Sequence, residues 1–78
     1  LLIYPVEHHV GRLQRLRDAC IELGRPATVM DMSTYLFSPR SQGGMADSET
    51  FAHLEHLRLT GEMERTESNG RYQYNLKD

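Results

Sequence analysis

The stretch Glu62-Met63-Glu64-Arg65-Thr66-Glu67-Ser68-Asn69-Gly70-Arg71-Tyr72-Gln73-Tyr74-Asn75-Leu76 decides the fold. On either side of Ser68-Asn69-Gly70 the residues read with the two-residue period of an extended strand. Asn69 and Gly70 both tolerate positive φ, so together they predict a tight hairpin turn. Tyr72, Tyr74 and Leu76 then fall on one side of the second strand. A lone two-stranded hairpin is marginal in water, so this one has to lie on a helical layer. Met63, Tyr72, Tyr74 and Leu76 supply the apolar surface for that.

Working back along the chain, Gly61 closes a helix predicted over roughly 46–60. Asp47 or Ser48 caps its start, and Glu49 suits the positive end of the helix dipole. Phe51, Leu54 and Leu57 share one face. Residues 38–44, Ser-Pro-Arg-Ser-Gln-Gly-Gly, hold nothing that builds a core and read as a loop. Before them, Thr28 and Asp31 stand at capping-box spacing and open a short helix. Val29, Met32 and Leu36, joined by Phe37, form its inward stripe, and Ser38-Pro39 ends it.

The first helix is predicted over 7–23. Val10, Leu13, Leu16, Cys20 and Leu23 recur at three- and four-residue steps, with Arg12, Arg15, Asp18 and Glu22 largely opposite. Gly24 supplies the cap and Pro26 prevents resumption. The expected fold class is therefore mainly α with a C-terminal β-hairpin, a winged helix of three helices plus a two-stranded wing. It spans residues 7–78, with 1–6 as a linker or inter-domain segment.

Seventy-eight residues make one small domain, which hides only roughly 60–65% of its unfolded surface. No apolar run approaches the roughly 20 residues that cross a bilayer. The start on Leu1-Leu2-Ile3, with no methionine and no signal-peptide pattern, reads as a cut inside a longer protein. Cys20 is the sole cysteine, which excludes a disulfide framework and a thiolate metal cage and makes a reducing cytoplasm the expected setting.

Winged helices often bind DNA through the third helix and the wing, and both surfaces then need basic residues. Here the third helix offers Asp47, Glu49 and Glu55 against Arg58, and the hairpin offers Glu62, Glu64 and Glu67 against Arg65 and Arg71. With a formal net charge of −2, the chain lacks the footprint of a nucleic-acid binder. The crowded Arg12, Arg15, Arg17 and Arg25 read as a solvated face or as a dock for an acidic partner. His53 and His56, three apart, with Glu49 four before His53, face one way on a helix. They do not make a zinc-protease pattern, and His8-His9 diverge. Cys20 lies on an apolar stripe, Ser33, Ser41 and Ser48 have no surrounding motif, and Gly43-Gly44 falls short of a phosphate loop. No catalytic, metal or cofactor residue is assigned.

Three segments nonetheless resemble a known module. They are His8-His9-Val10-Gly11-Arg12-Leu13, Glu49-Thr50-Phe51-Ala52-His53-Leu54-Glu55-His56-Leu57 and Gly61-Glu62-Met63, with Leu36-Phe37 between them. They are similar to the C-terminal winged-helix domain of metallo-β-lactamase-fold hydrolases. That resemblance implies an N-terminal catalytic domain with a two-metal zinc site on an H-x-H-x-D-H motif, which this chain lacks. It implies a non-catalytic accessory role here, packing on that domain or supporting a homodimer. Of the distinctive polar positions, His9, Arg12, Glu49 and His53 match, and they are expected at an interface. Arg12 would offer its fork of donors to a carboxylate or carbonyl of the catalytic domain. Leu1, Leu2, Ile3, Tyr4 and Leu59 are expected to form an exposed apolar patch. The alternatives are a nucleic-acid-binding winged helix and a protein-interaction or dimerisation winged helix of an unrelated regulator.

Overall fold

The computed structural model describes residues 6–38, 40 and 44–77, with side chains from residue 10 onward. The chain runs α1 (Val6–Leu23), β1 (Ala27–Thr28), α2 (Val29–Leu36), α3 (Gly44–Leu59), β2 (Met63–Ser68) and β3 (Arg71–Leu76). Leu1, Leu2, Ile3 and Tyr4, expected in an apolar patch, lie outside the described residues, as does the linker reading of 1–6 apart from Val6.

The local signals act as the residues dictate. Asn69 and Gly70 adopt φ of 54° and 76°, and Ser68 pairs with Arg71 across them, so the turn leaves no residue of the hairpin out of register. Thr28 and Asp31 complete the capping box. The Thr28 hydroxyl accepts from the Asp31 amide at 3.1 Å, and the Asp31 carboxylate accepts from the Thr28 amide at 3.2 Å. Those bonds, the Thr28 amide above all, hold the Asp31 carboxyl below its ordinary pKa. Gly61, at φ 89°, closes α3 with two bonds. Its amide donates to Arg58 at 3.1 Å, and the Glu62 amide donates to Leu57 at 2.9 Å. This pattern satisfies the helix's last carbonyls and turns the chain directly into β2.

The expected helical fold with a C-terminal hairpin is present, with one addition. Ala27 and Thr28 pair antiparallel with β3, Ala27 opposite Tyr74 and Thr28 opposite Gln73. The sheet therefore has three strands in the order β1-β3-β2, where two were expected. The cause lies in the cap. An N-cap residue must be extended, and Thr28 sits at φ −79° and ψ 168°. Extended backbone beside the open edge of β3 pairs with it at almost no further entropic cost.

The core lies between the helices and the sheet, built from Leu16, Cys20, Met32, Leu36, Leu54, Leu57, Met63 and Tyr74. Two residues expected in it are displaced. Val10 is 56% exposed, because α1 meets the core from Leu13 onward. Phe51 is 40% exposed, and the inward side of α3 is carried by Ala46, Thr50, His53, Leu54 and Leu57. Residues three apart are displaced by about 60° around a helix. Phe51, Leu54 and Leu57 thus span a wide arc, and Phe51 falls at its outer end. At the tip of the wing Tyr72 is likewise 41% exposed, while Tyr74 on the same side is fully buried.

Candidate interface and polar clusters

Three of the four residues expected at an interface converge. Arg12 on α1 donates from Nη1 to Oε1 of Glu49 on α3, and its guanidinium carbon lies 5.1 Å from the centroid of the Phe37 ring at the end of α2. The His53 ring nitrogen Nδ1 is 2.7 Å from the Glu49 carbonyl oxygen. A carbonyl only accepts, so Nδ1 carries the proton. One turn of α3 therefore ties itself to both other helices. His9 belongs to α1, and its side chain lies outside the described residues.

Arg12 differs from expectation in one respect. It was placed on the solvent side of α1, seeking a carboxylate from another domain. The crossing of α1 over α3 instead brings it Glu49 from its own chain, with both side chains less than a third exposed. His53 is buried at 7% exposure, and His56 is exposed.

A second cluster was missed from the sequence. Glu55 of α3 accepts from Arg58 Nη2 at 2.7 Å, from Arg65 Nη1 on β2 at 2.9 Å and from the Tyr74 hydroxyl on β3 at 2.6 Å. The donors, Arg58 first, hold the Glu55 carboxyl down at about 2. Burial and then the neighbouring carboxylate push the Tyr74 phenol well above its ordinary value. Arg65 also lies 4.1 Å from the centroid of the Tyr72 ring, a cation–π contact that gives the wing tip its packing. Two signals were available. Glu55 and Arg58 stand at a spacing that meets on a helix, and a two-residue Asn-Gly turn sets Arg65 opposite Tyr74. Nothing local says that α3 crosses over that pair.

A third contact fastens α1 to the start of the wing. Arg17 donates from Nε and Nη2 to the two Glu62 carboxylate oxygens at 2.8 and 2.9 Å. Arg25 meets Asp31 at 3.4 Å. Arg12, Arg17, Arg25, Arg58 and Arg65 thus all lie in ion pairs within the chain.

The remaining reactive groups are withdrawn from solvent. Cys20 is 2% exposed, and burial raises its thiol pKa. Ser33 is fully buried. Among the described residues no group of three or more His, Cys, Asp or Glu side chains could hold a metal ion. The zinc that the resemblance implies therefore does not fit the described residues, whose best histidine already spends Nδ1 on a backbone carbonyl. Among the described residues no helix is long and apolar enough to cross a membrane.

The model of the metallo-beta-lactamase-like C-terminal domain matches residues 13–77. The chain belongs to that family. His9 and Arg12 precede the matched span, while Glu49 and His53 lie inside it. Among solved structures, this metallo-beta-lactamase-like C-terminal domain is similar to a beta-lactamase domain protein from Burkholderia ambifaria, at 29% identity and a TM-score of 0.75. The likeness covers 91% of this chain and 22% of that one, so the family domain spans about a fifth of that protein's length. No curated protein matches the chain.

Proposed function

We propose that this domain is a non-catalytic winged-helix accessory module of a metallo-β-lactamase-like zinc hydrolase, packed against an N-terminal catalytic domain and orienting it. One observation carries the reading: a domain of this family and fold makes up 22% of a beta-lactamase domain protein. The chemistry then belongs to the larger part. The residues described here act by holding shape, with Arg12, Glu49 and His53 setting how α1 and α3 cross. The zinc site belongs to the catalytic domain, whose residues this chain does not supply. The buried lone thiol supports a reducing, cytoplasmic setting.

The same geometry supports protein over nucleic acid as the partner. Five arginines that might have met phosphates are already held by carboxylates, and each would have to surrender a partner to bind a duplex. The coding sequence immediately upstream of Leu1 tests the reading. An H-x-H-x-D-H motif is expected there, together with zinc in the longer protein and none retained by this chain in equilibrium dialysis. An upstream sequence without such a motif ends the proposal. Salt-sensitive capture of a duplex by this chain would replace it with the nucleic-acid reading.

A further inference from the structure

The outward side of α3 has a pattern that none of the contacts described above uses. Met45, Ala52 and Leu59 recur at seven-residue steps, and seven residues fall only about 20° short of two turns. The three therefore stay on one stripe, about 21 Å long at 1.5 Å per residue. Met45 is 82% exposed, Leu59 is 73% exposed, and Ala52 between them is exposed. Exposed Ser48 and His56 fill the intervening turns. The order along the stripe is large, small, large, so it reads nearly the same in both directions. A sequence of that kind complements an inverted copy of itself.

We propose that this stripe is the interface of a homodimer in which two α3 helices pack antiparallel about a two-fold axis at Ala52. Met45 of each copy then meets Leu59 of the other, and the paired Ala52 side chains let the backbones approach to the short end of the usual 8–10 Å interaxial range. The charges select the same direction. Asp47 lies in the first turn of α3, and His56 and Arg58 lie in the last. An antiparallel pair sets acidic ends beside basic ends and opposes the two helix dipoles, whereas a parallel pair stacks like on like. Glu49 and His56 lie on one flank of the stripe and face each other across the axis. This inference does not depend on the parent being a zinc hydrolase.

A single helix stripe falls below the roughly 1,200 Å² of a stable interface, so the dimer is weak and reversible. Sedimentation equilibrium of this chain from about 10 μM to about 1 mM should show the mean mass rising towards twice the monomer. Leu59→Glu should raise the dissociation constant at least tenfold and keep the far-ultraviolet spectrum of the folded chain, since the side chain stands in solvent. Ala52→Cys should form a disulfide-linked dimer on mild oxidation, while Phe51→Cys, exposed but off the stripe, should not. Buried Cys20 gives no background. A mass that stays monomeric up to about 1 mM overturns the proposal and leaves the stripe to another domain. A dimer that survives Leu59→Glu, or that cross-links equally through Phe51→Cys, overturns it as well.

Discussion

Glu49 and Glu55 stand six residues apart on the same helix, and both accept from arginine, yet the two clusters work differently. Glu49 takes Arg12 from α1, with both side chains partly open to water at 21% and 29% exposure. Glu55 takes Arg58, Arg65 and Tyr74 around a carboxylate only 17% exposed, over a tyrosine sealed in the core. Solvent competes for the first contact and much less for the second. The comparison teaches that a conspicuous motif residue and an energetically weighty one need not coincide. The Glu49 cluster sets a helix crossing, whereas the Glu55 cluster fastens the wing to the helices.

Four experiments break or sharpen that contrast. Tyr74→Ala should be the most damaging change. It removes a fully buried aromatic ring, which costs about 3–5 kcal/mol in a core, a large share of what a small domain has. Urea unfolding should find it largely unfolded in buffer. Tyr74→Phe keeps the ring and loses only the bond to Glu55, so its midpoint should fall by about 1–2 kcal/mol. If the two variants were equally stable, the ring would not be the anchor.

Glu55→Gln comes next. The folded carboxyl sits at about 2, below its ordinary value of 4.5. Its contribution is therefore complete above about 4.5 and drains away as pH falls towards about 2. Discounted for partial solvent screening, the loss should be about 1–2 kcal/mol at pH 7. The variant should also show a flatter stability profile than the wild type over that acid window. Equal slopes in both proteins would remove Glu55 from the account.

A double-mutant cycle on Arg12→Ala and Glu49→Gln should give a smaller coupling, about 0.5–1 kcal/mol. A coupling larger than the Glu55→Gln loss would invert the comparison. Smallest of all is Arg17→Ala. Its bidentate partner Glu62 is exposed, so no resolvable shift in the urea midpoint is expected at physiological salt, with a slight one emerging as salt is lowered.

The residues show why some of this was legible beforehand and some was not. Asn69-Gly70, Thr28 with Asp31, and Gly61 each act through backbone bonds that close within a few positions, and all three were readable as turn, cap and stop. The register that sets Arg65 opposite Tyr74 was also implicit in the two-residue turn. Phe51 misled because hydrophobicity marks a face only to within the width of an arc, and neighbouring elements decide which part of the arc is covered. The short β1 strand escaped notice because two residues carry no period; only the nearby edge of β3 makes them a strand.

Local sequence alone determined the helices' ends, the hairpin and its alternation, and the family motif singled out Glu49, His53 and Arg12 as polar positions with a role. Tertiary structure alone decided which arginine each glutamate receives. The Arg12–Glu49 and Arg17–Glu62 pairs join residues 37 and 45 positions apart, and such a meeting exists only after packing has set the angle between helices. Caps and turns are written in backbone geometry over a single turn of chain, while ion pairs between elements follow from how buried side chains such as Leu16, Leu54 and Tyr74 fit together.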